Sequence, residues 1–79
     1  MVAMNALAEH VRAARKLPPP AIARAIREEA GVSQQRLADE LGVNRVTVAR
    51  WELGVRVSRG ELRLRYIALL EELAEAVGA

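Results

Sequence analysis

Apolar residues recur along this chain at intervals of three or four positions, which is the spacing of one face of an α-helix. The pattern is interrupted by three prolines at positions 18–20 and by Gly31, Gly42 and Gly54, residue types at which helices commonly end. Because the helical spacing holds nearly everywhere, no strand is predicted. The sequence therefore predicts an all-α fold of about five helices.

We interpret residues 1–79 as a single small domain with three parts. These are an accessory amino-terminal helix within residues 1–17, a core over residues 21–54 and a long carboxy-terminal helix over residues 58–77. The core is predicted to hold helices at about 20–30, 34–41 and 45–53. The positions assigned to buried faces are Met4, Leu7, Val11, Ala14, Ile22, Ile26, Ala30, Leu37, Ala38, Leu41, Leu62, Tyr66, Leu69, Leu70, Leu73 and Val77.

Polar residues stand where the caps of three helices are expected. Ser33 and Asn44 precede the third and fourth helices, and each offers a side-chain oxygen to an unpaired amide N–H of the first turn. Ser58 and Glu61 have the spacing of a capping box, in which each side chain accepts from the other residue's backbone N–H. This box is predicted to open the last helix.

Only three residues, Gly42, Val43 and Asn44, separate the third and fourth helices. Gly42 permits a left-handed turn, and Val43 is predicted to fill the corner. Ala38 is small where the two helices must approach closely, and Val48 is expected to complete the packing between them. Such a short break lets the second helix of the pair cross the first at a steep angle, which predicts a helix-turn-helix.

The fourth helix is predicted to project polar and small residues from the body of the domain. They are Asn44, Arg45, Val46, Ala49 and Arg50. A helix of this width fits the major groove of DNA, where arginine reads guanine and apolar groups meet the thymine methyl. The alternative is that Arg45 and Arg50 are solvated charges on a helix surface. Trp51 is assigned to the core rather than to base stacking.

Residues 26–54, which read IREEAGVSQQRLADELGVNRVTVARWELG, resemble the XRE-type, lambda-repressor-like helix-turn-helix family of phage Cro proteins, repressors and bacterial regulators. The features that carry the resemblance are AGVSQ before the third helix, LA within it, LGV at the turn and VxRWExG at the end of the fourth helix. Family members commonly continue with several shorter helices. Here one long helix follows, and the helix before the prolines is additional.

The resemblance implies roles for particular residues. Gln34, at the start of the third helix, would contact a phosphate and brace the recognition helix; the alternative is that it only begins its helix. Thr47 would lie against the DNA backbone. Arg27 and Glu52 would form a partly buried ion pair between the second helix and the end of the recognition helix. The residues that would face bases are Asn44, Arg45, Val46, Ala49 and Arg50.

The formal net charge is only +2, but charge is unevenly distributed along the chain. Residues 1–27 and 42–65 are basic, whereas residues 28–41 and 66–79 each carry a net charge of −3. This alternation suits one face that meets a polyanion while other faces meet water. Four further arginines either follow phosphates beside the groove or form a solvated face: Arg56, Arg59, Arg63 and Arg65.

The composition argues against several other classes of protein. There is no cysteine, which suits a reducing cytoplasm, and no apolar run approaches the roughly 18 residues of a membrane span. The amino terminus lacks the pattern of a secretory signal.

Asp39 and Glu40 are adjacent on a helix and point about 100° apart, so they form no carboxylate pair. One solvated His10 makes no metal site, and an enzyme, a cofactor, a metal or a small-molecule ligand is not expected.

The sequence thus predicts a transcriptional regulator that occupies a site on double-stranded DNA. One alternative is an architectural protein that assists DNA excision or recombination. Another, from a different class, is an antitoxin-like module in which the long last helix docks a protein partner. The first and last helices each carry an apolar stripe, which predicts a homodimer through one of them; otherwise the first helix covers the last within a monomer.

Overall fold

The computed structural model describes residues 17–78, and within that range the fold consists of four α-helices and no strand. They are α1 (Pro20–Glu29), α2 (Gln34–Leu41), α3 (Arg45–Leu53) and α4 (Gly60–Gly78). The predicted all-α class is confirmed. The accessory helix predicted near the amino terminus lies outside the described residues. No helix between residues 17 and 78 is both long and apolar enough to span a membrane.

Helix α1 begins at the last of the three prolines. The carbonyl oxygen of Pro19 accepts hydrogen bonds of 2.9 Å from the backbone N–H groups of Ile22 and Ala23, and Pro20 fits the first turn because its missing N–H would be unpaired there. The residues that α1 buries are Ala23 and Arg27. The prediction that Ile22 is buried is wrong, since 52% of its surface is exposed.

Helices α2 and α3 begin at the predicted caps. The Ser33 hydroxyl oxygen accepts a hydrogen bond of 3.0 Å from the backbone N–H of Arg36. The Asn44 carboxamide oxygen accepts one of 2.9 Å from the backbone N–H of Thr47. Each cap satisfies an amide that the helix itself cannot pair.

All four helices contribute to the core, with α1 packed on α3 and α4 and α2 packed on the same two helices. Its members are Ala23, Leu37, Ala38, Leu41, Val48, Trp51, Tyr66 and Leu70. The rings of Trp51 and Tyr66 lie with their centroids 4.7 Å apart and their planes tilted by 32°, an offset geometry that aromatic pairs favour. The core assignment of Trp51 is therefore confirmed.

Helix α4 departs from the predictions at both ends. The Ser58 hydroxyl is buried and has no hydrogen-bond partner among the described residues, so the predicted capping box is wrong. Helix α4 begins at Gly60, so the cap position falls on Arg59 rather than on Ser58, and the N–H of Arg63 donates to the carbonyl oxygen of Arg59 at 3.2 Å. At the other end Val77 is 47% exposed rather than buried, because residues 74–78 extend past the helices on which α4 packs.

Arg65 attaches α4 to the end of α2. Its guanidinium donates hydrogen bonds to the carbonyl oxygens of Glu40 at 3.2 Å and Leu41 at 3.5 Å. These carbonyls belong to the last turn of α2, where a cation is favoured by the helix dipole. Arg65 is therefore engaged within the protein rather than extended to follow phosphates.

Candidate nucleic-acid interface

The turn between α2 and α3 is fixed by backbone hydrogen bonds. Gly42 adopts φ 72°, a left-handed conformation that most side chains disfavour. Its N–H and that of Val43 both turn back to the carbonyl oxygen of Ala38, the Val43 bond being 3.0 Å long. Val43 then packs, half-buried, against the core. The turn therefore sets the direction in which α3 leaves α2.

The Asn44 side chain stabilises the start of α3 by accepting hydrogen bonds from both the backbone and the side chain of Thr47. The Thr47 hydroxyl donates to the Asn44 carboxamide oxygen at 2.9 Å, beside the backbone bond to the same atom. The oxygen of Asn44 is thus occupied, and its amide nitrogen is the group left to face outward. The Thr47 donor is likewise engaged within the first turn.

The inner face of α3 seats it on the rest of the domain. Val48 is fully buried and Trp51 is 6% exposed. Ala38 of α2 is also fully buried, and its small side chain permits the close approach of the two helices. The inner side of α3 is therefore fixed in the core, which leaves the opposite side to face solvent.

The outer face of α3 presents two arginines and two smaller residues. Arg45, Val46 and Arg50 are exposed, and Ala49 is half-buried. At about 100° per residue, Val46, Ala49 and Arg50 fall within an arc of about 100°, with Arg45 at its edge. A long donor therefore lies at each end of this face, with apolar groups between them.

Hydrogen bonds connect the outer face of α3 to a buried ion pair. The guanidinium of Arg45 donates to the carboxamide oxygen of Gln34 at 3.4 Å. The amide nitrogen of Gln34 donates in turn to Oε1 of Glu52 at 3.0 Å. Glu52 is paired with Arg27. Gln34 therefore joins the start of α2 to both ends of α3.

The Arg27–Glu52 ion pair is bidentate and almost completely buried. Arg27 Nε lies 2.6 Å from Glu52 Oε2 and Nη2 lies 2.9 Å from Oε1, and each residue is 7% exposed. Arg27 Nη1 also donates to the carbonyl oxygen of Val32 at 2.8 Å. Together these bonds tie α1 and the loop before α2 to the last turn of α3.

The electrostatics of the pair follow from burial and hydrogen bonding. Burial by itself would raise the pKa of Glu52, but hydrogen bonds from Arg27 and Gln34 and the charge of Arg27 outweigh it, and the pKa is held below its ordinary value. The hydrogen bond to Glu52 raises the pKa of Arg27. Both groups are therefore charged at neutral pH.

A basic cleft of about 740 Å³ opens beside the second half of α3. Its charged lining residues are Arg50, Arg56 and Arg59, and no acidic side chain of the described chain lines it. Thr47 lies at its edge. Three guanidinium groups around one open cleft suit a phosphate backbone that passes along the recognition surface.

The structure gives the positions of the residues that the resemblance assigned to DNA contact. The residues implied to face bases lie on or beside the exposed side of α3, and Gln34 lies next to them at the start of α2. The resemblance implied that Gln34 braces the recognition helix, and Gln34 is hydrogen-bonded to Arg45 and Glu52 of α3. These particular partners were not predicted, because nothing in the spacing shows where a long side chain will turn. Arg56 and Arg59 were expected either to follow phosphates or to be solvated. They line one cleft with Arg50, a grouping that depends on the course of the loop that follows α3.

The arrangement has the chemistry to recognise DNA. An exposed helix about the width of the major groove carries arginines, which pair with guanine, and small apolar groups, which meet the thymine methyl. The adjoining guanidinium cleft supplies charge that can fix register on the phosphates.

Comparison with protein families gives an independent result. The family model described as helix-turn-helix matches residues 24–64, more than half of the chain. Comparisons with curated proteins and with solved structures gave no significant match. The matched segment runs from α1 through the turn and α3 into α4, and this family consists of DNA-binding regulatory domains rather than enzymes. The chain therefore belongs to the XRE-type, lambda-repressor-like helix-turn-helix family of DNA-binding regulators.

Proposed function

We propose that this protein binds a specific sequence of double-stranded DNA by inserting α3 into the major groove, and that it regulates transcription by occupying that site. The observation that carries the proposal is the exposed face of α3, with Arg45 and Arg50 at its ends, held at a fixed angle by the turn and the buried ion pair. A rigid helix that presents donors is what direct readout of bases requires.

Arg45 is the residue we assign to guanine. It lies in the first turn of α3, the end that enters the groove, and its guanidinium donates a hydrogen bond to the carboxamide oxygen of Gln34. Arg50 is about 140° away on the helix and therefore contacts a different base or a flanking phosphate.

The smaller residues of the surface have complementary roles. Val46 and Ala49 are assigned to apolar contacts with thymine methyl groups, and Asn44 to a base through its amide nitrogen. Gln34 and Thr47 are assigned to phosphates, which set the register of α3 without reading sequence. The Thr47 hydroxyl must turn from Asn44 to donate to a phosphate.

The regulatory mechanism follows from binding alone. The protein occupies its operator and thereby blocks or recruits other factors. We further propose that it acts as a homodimer, so that two copies of α3 read half-sites about 34–36 Å apart. An architectural role in recombination would instead be marked by strong bending of a multi-site target, and an antitoxin role by a stoichiometric protein partner.

Selection of bound fragments from a pool of random double-stranded DNA tests the proposal. The expected result is enrichment of one defined motif, with two half-sites if the protein is a dimer. Arg45→Ala should weaken binding to the selected motif. Arg24→Ala is a matched control because it removes the same charge from an exposed position on α1. A pool that stays random after repeated rounds, with intact folded protein, would contradict sequence-specific binding.

A further inference from the structure

A second cleft, of about 400 Å³, lies on the other side of the loop that follows α3. One wall is the segment of residues 17–20 and the other is the loop of residues 54–58. The two walls meet closely at one end, where a Cβ atom added to Gly54 would lie 3.4 Å from Cγ of Pro20. The cleft is thus bounded by two segments that the core holds in place.

The floor of this cleft is apolar and aromatic. Trp51 and Tyr66, whose rings pack together, line it with Ala23 and Leu17. The prolines and Val57 complete the apolar lining. Trp51 is 6% exposed and Tyr66 is 1% exposed, so most of the apolar surface open to a ligand comes from Leu17, the prolines and Val57. Such a lining favours a ligand with an apolar body, for which an aromatic ring is suitable.

The charged lining residues of the cleft are all basic. Arg56 is exposed and Arg63 is half-buried, and no Asp or Glu among the described residues lines the cleft. Two guanidinium groups beside an apolar floor favour a ligand that carries an anionic group at one end.

Two hydroxyl groups in the lining are buried without partners. Ser58 is 3% exposed and Tyr66 is 1% exposed, and neither hydroxyl has a hydrogen-bond partner among the described residues. Burial raises the pKa of Tyr66 to about 12, so the phenol stays protonated and can donate. Buried polar groups are seldom left unpaired, and those that are call for an explanation.

We propose that this cleft is a binding site for a small aromatic carboxylate. The ring packs on the apolar lining beside Trp51, the carboxylate is held by Arg56 and Arg63, and a small shift of the lining uncovers the buried Ser58 and Tyr66 hydroxyls to the ligand oxygens. The volume of the cleft falls within the range of small-molecule sites. Inorganic phosphate would leave the apolar floor unused, and a neutral aromatic compound would leave the arginines unused. This site departs from the expectation that the protein takes no small ligand.

Occupation of the cleft has a consequence for DNA binding, and this part rests on the proposed function. Arg56, Val57 and Ser58 line both this cleft and the basic cleft beside α3. A carboxylate that pairs with Arg56 withdraws one guanidinium from the phosphate-facing side. We therefore expect the ligand to weaken DNA binding and to reduce its dependence on salt.

Trp51 provides the direct test, because it is the single tryptophan of the chain and lines the cleft. The full-length protein without DNA is titrated with benzoate while tryptophan emission is recorded, with benzyl alcohol and acetate as probes that each lack one half of the ligand. Saturable quenching by benzoate, with much weaker effects of the other two, is expected.

Substitutions then assign the effect to the cleft. Arg63→Gln and Arg56→Gln should each weaken benzoate binding about tenfold, the usual worth of a charge-assisted hydrogen bond. Tyr66→Phe should also weaken it. Arg59→Gln, which removes the same charge from the neighbouring cleft, should leave the affinity within about twofold. Circular dichroism melts show whether each variant is folded.

Several outcomes would overturn the site. They are benzoate quenching that does not saturate, equal affinity for benzyl alcohol, or equal losses in Arg63→Gln and Arg59→Gln. If benzoate has no effect while Leu7→Asp shifts the Trp51 emission, residues 1–16 occupy the cleft and the proposal is overturned.

If benzoate binds but DNA affinity is unchanged, the link to DNA fails while the site stands. A protein that never binds specific DNA would defeat the proposed function without affecting the benzoate titration.

Discussion

Arg27 and Glu52 are 25 residues apart in the sequence, yet they form a bidentate, almost completely buried ion pair whose two hydrogen bonds measure 2.6 and 2.9 Å. The pair joins α1 to the last turn of α3, and Gln34 extends it to the start of α2. The orientation of α3 and the stability of the domain therefore depend on the same group of side chains.

Removing one member of this pair should be costly. Glu52→Ala leaves Arg27 buried without a counter-charge, and we expect a loss of about 3–5 kcal/mol in the free energy of unfolding. Thermal melts should show a fall in Tm of roughly 10 °C or more. The control is Glu28→Ala, which breaks an exposed pair with Arg24 whose side chains are both 54% exposed. That change should cost less than about 1 kcal/mol, and equal melting of the two variants would contradict this account.

The same pair should make stability depend on acid pH. The pKa of Glu52 is lower in the folded protein than its ordinary value of 4.5. The stabilisation is therefore present above about pH 4.5 and is lost as the pH falls through the lower, folded-state pKa. Urea unfolding at a series of pH values should show this loss in the wild type and less of it in Glu52→Gln. An unchanged slope in that variant would assign the acid sensitivity to other carboxylates.

Tyr66 should give the opposite dependence at alkaline pH. Its pKa is raised from 10.0 to about 12, so the stability that this group contributes is present below pH 10 and is lost as the pH rises toward 12. Tyr66→Phe removes the ionisable group together with a buried, unpartnered hydroxyl. At neutral pH we expect this variant to be as stable as the wild type or more stable, because an unsatisfied buried hydroxyl costs about 1–3 kcal/mol. A large loss at neutral pH would show that the hydroxyl has a partner in solution.

The turn that directs α3 should be sensitive to backbone conformation alone. A Cβ atom at Gly42 would meet no atom within 4 Å, but the φ of 72° is unfavourable for alanine. Gly42→Ala should therefore lower the free energy of unfolding by about 1–2 kcal/mol, and Gly42→Asn should lower it less because asparagine tolerates this region. Gly78→Ala is the control, since Gly78 is helical and also unobstructed. Equal effects at positions 42 and 78 would show that the turn does not require glycine.

The assembly prediction can be checked separately. We expect sedimentation to show a homodimer, at least on DNA that carries two half-sites about 34–36 Å apart. A monomer both in free solution and on a single, non-repeated site would contradict it. The interpretation in which the first helix covers the last within one chain would then be preferred.

Features of the fold that depend on a few adjacent residues could be predicted from the sequence. Ser33 and Asn44 cap their helices because the atoms involved lie within three residues of each other. Ser58 has the same local spacing but does not cap α4, because that helix begins at Gly60, one residue later than a cap at Ser58 requires. Local spacing does not fix the exact residue at which a helix begins.

Features that depend on distant parts of the chain could be predicted less well. Apolar periodicity assigned the buried face of α1 to Ile22, Ile26 and Ala30. Ile22 is exposed instead, and the buried residues are Ala23 and Arg27, the latter paired with Glu52 on α3. Apolar periodicity cannot identify a buried arginine; here only the family resemblance indicated the pair. The basic cleft and the second cleft both depend on the loop after α3, for which the sequence pattern made no structural prediction.

We infer that Arg45 reads a base while the residues around it set position. Affinity measured on a panel of single-base-pair variants of the selected site tests this most directly. Arg45→Ala should lose preference at one base pair, by about 1–3 kcal/mol of discrimination, and keep it at the others. Gln34→Ala should weaken all sites alike with little change in salt dependence, because glutamine carries no charge to displace counterions. If Arg45→Ala instead lowers affinity by the same factor across the whole panel, then Arg45 only positions α3 on the DNA and the claim is contradicted.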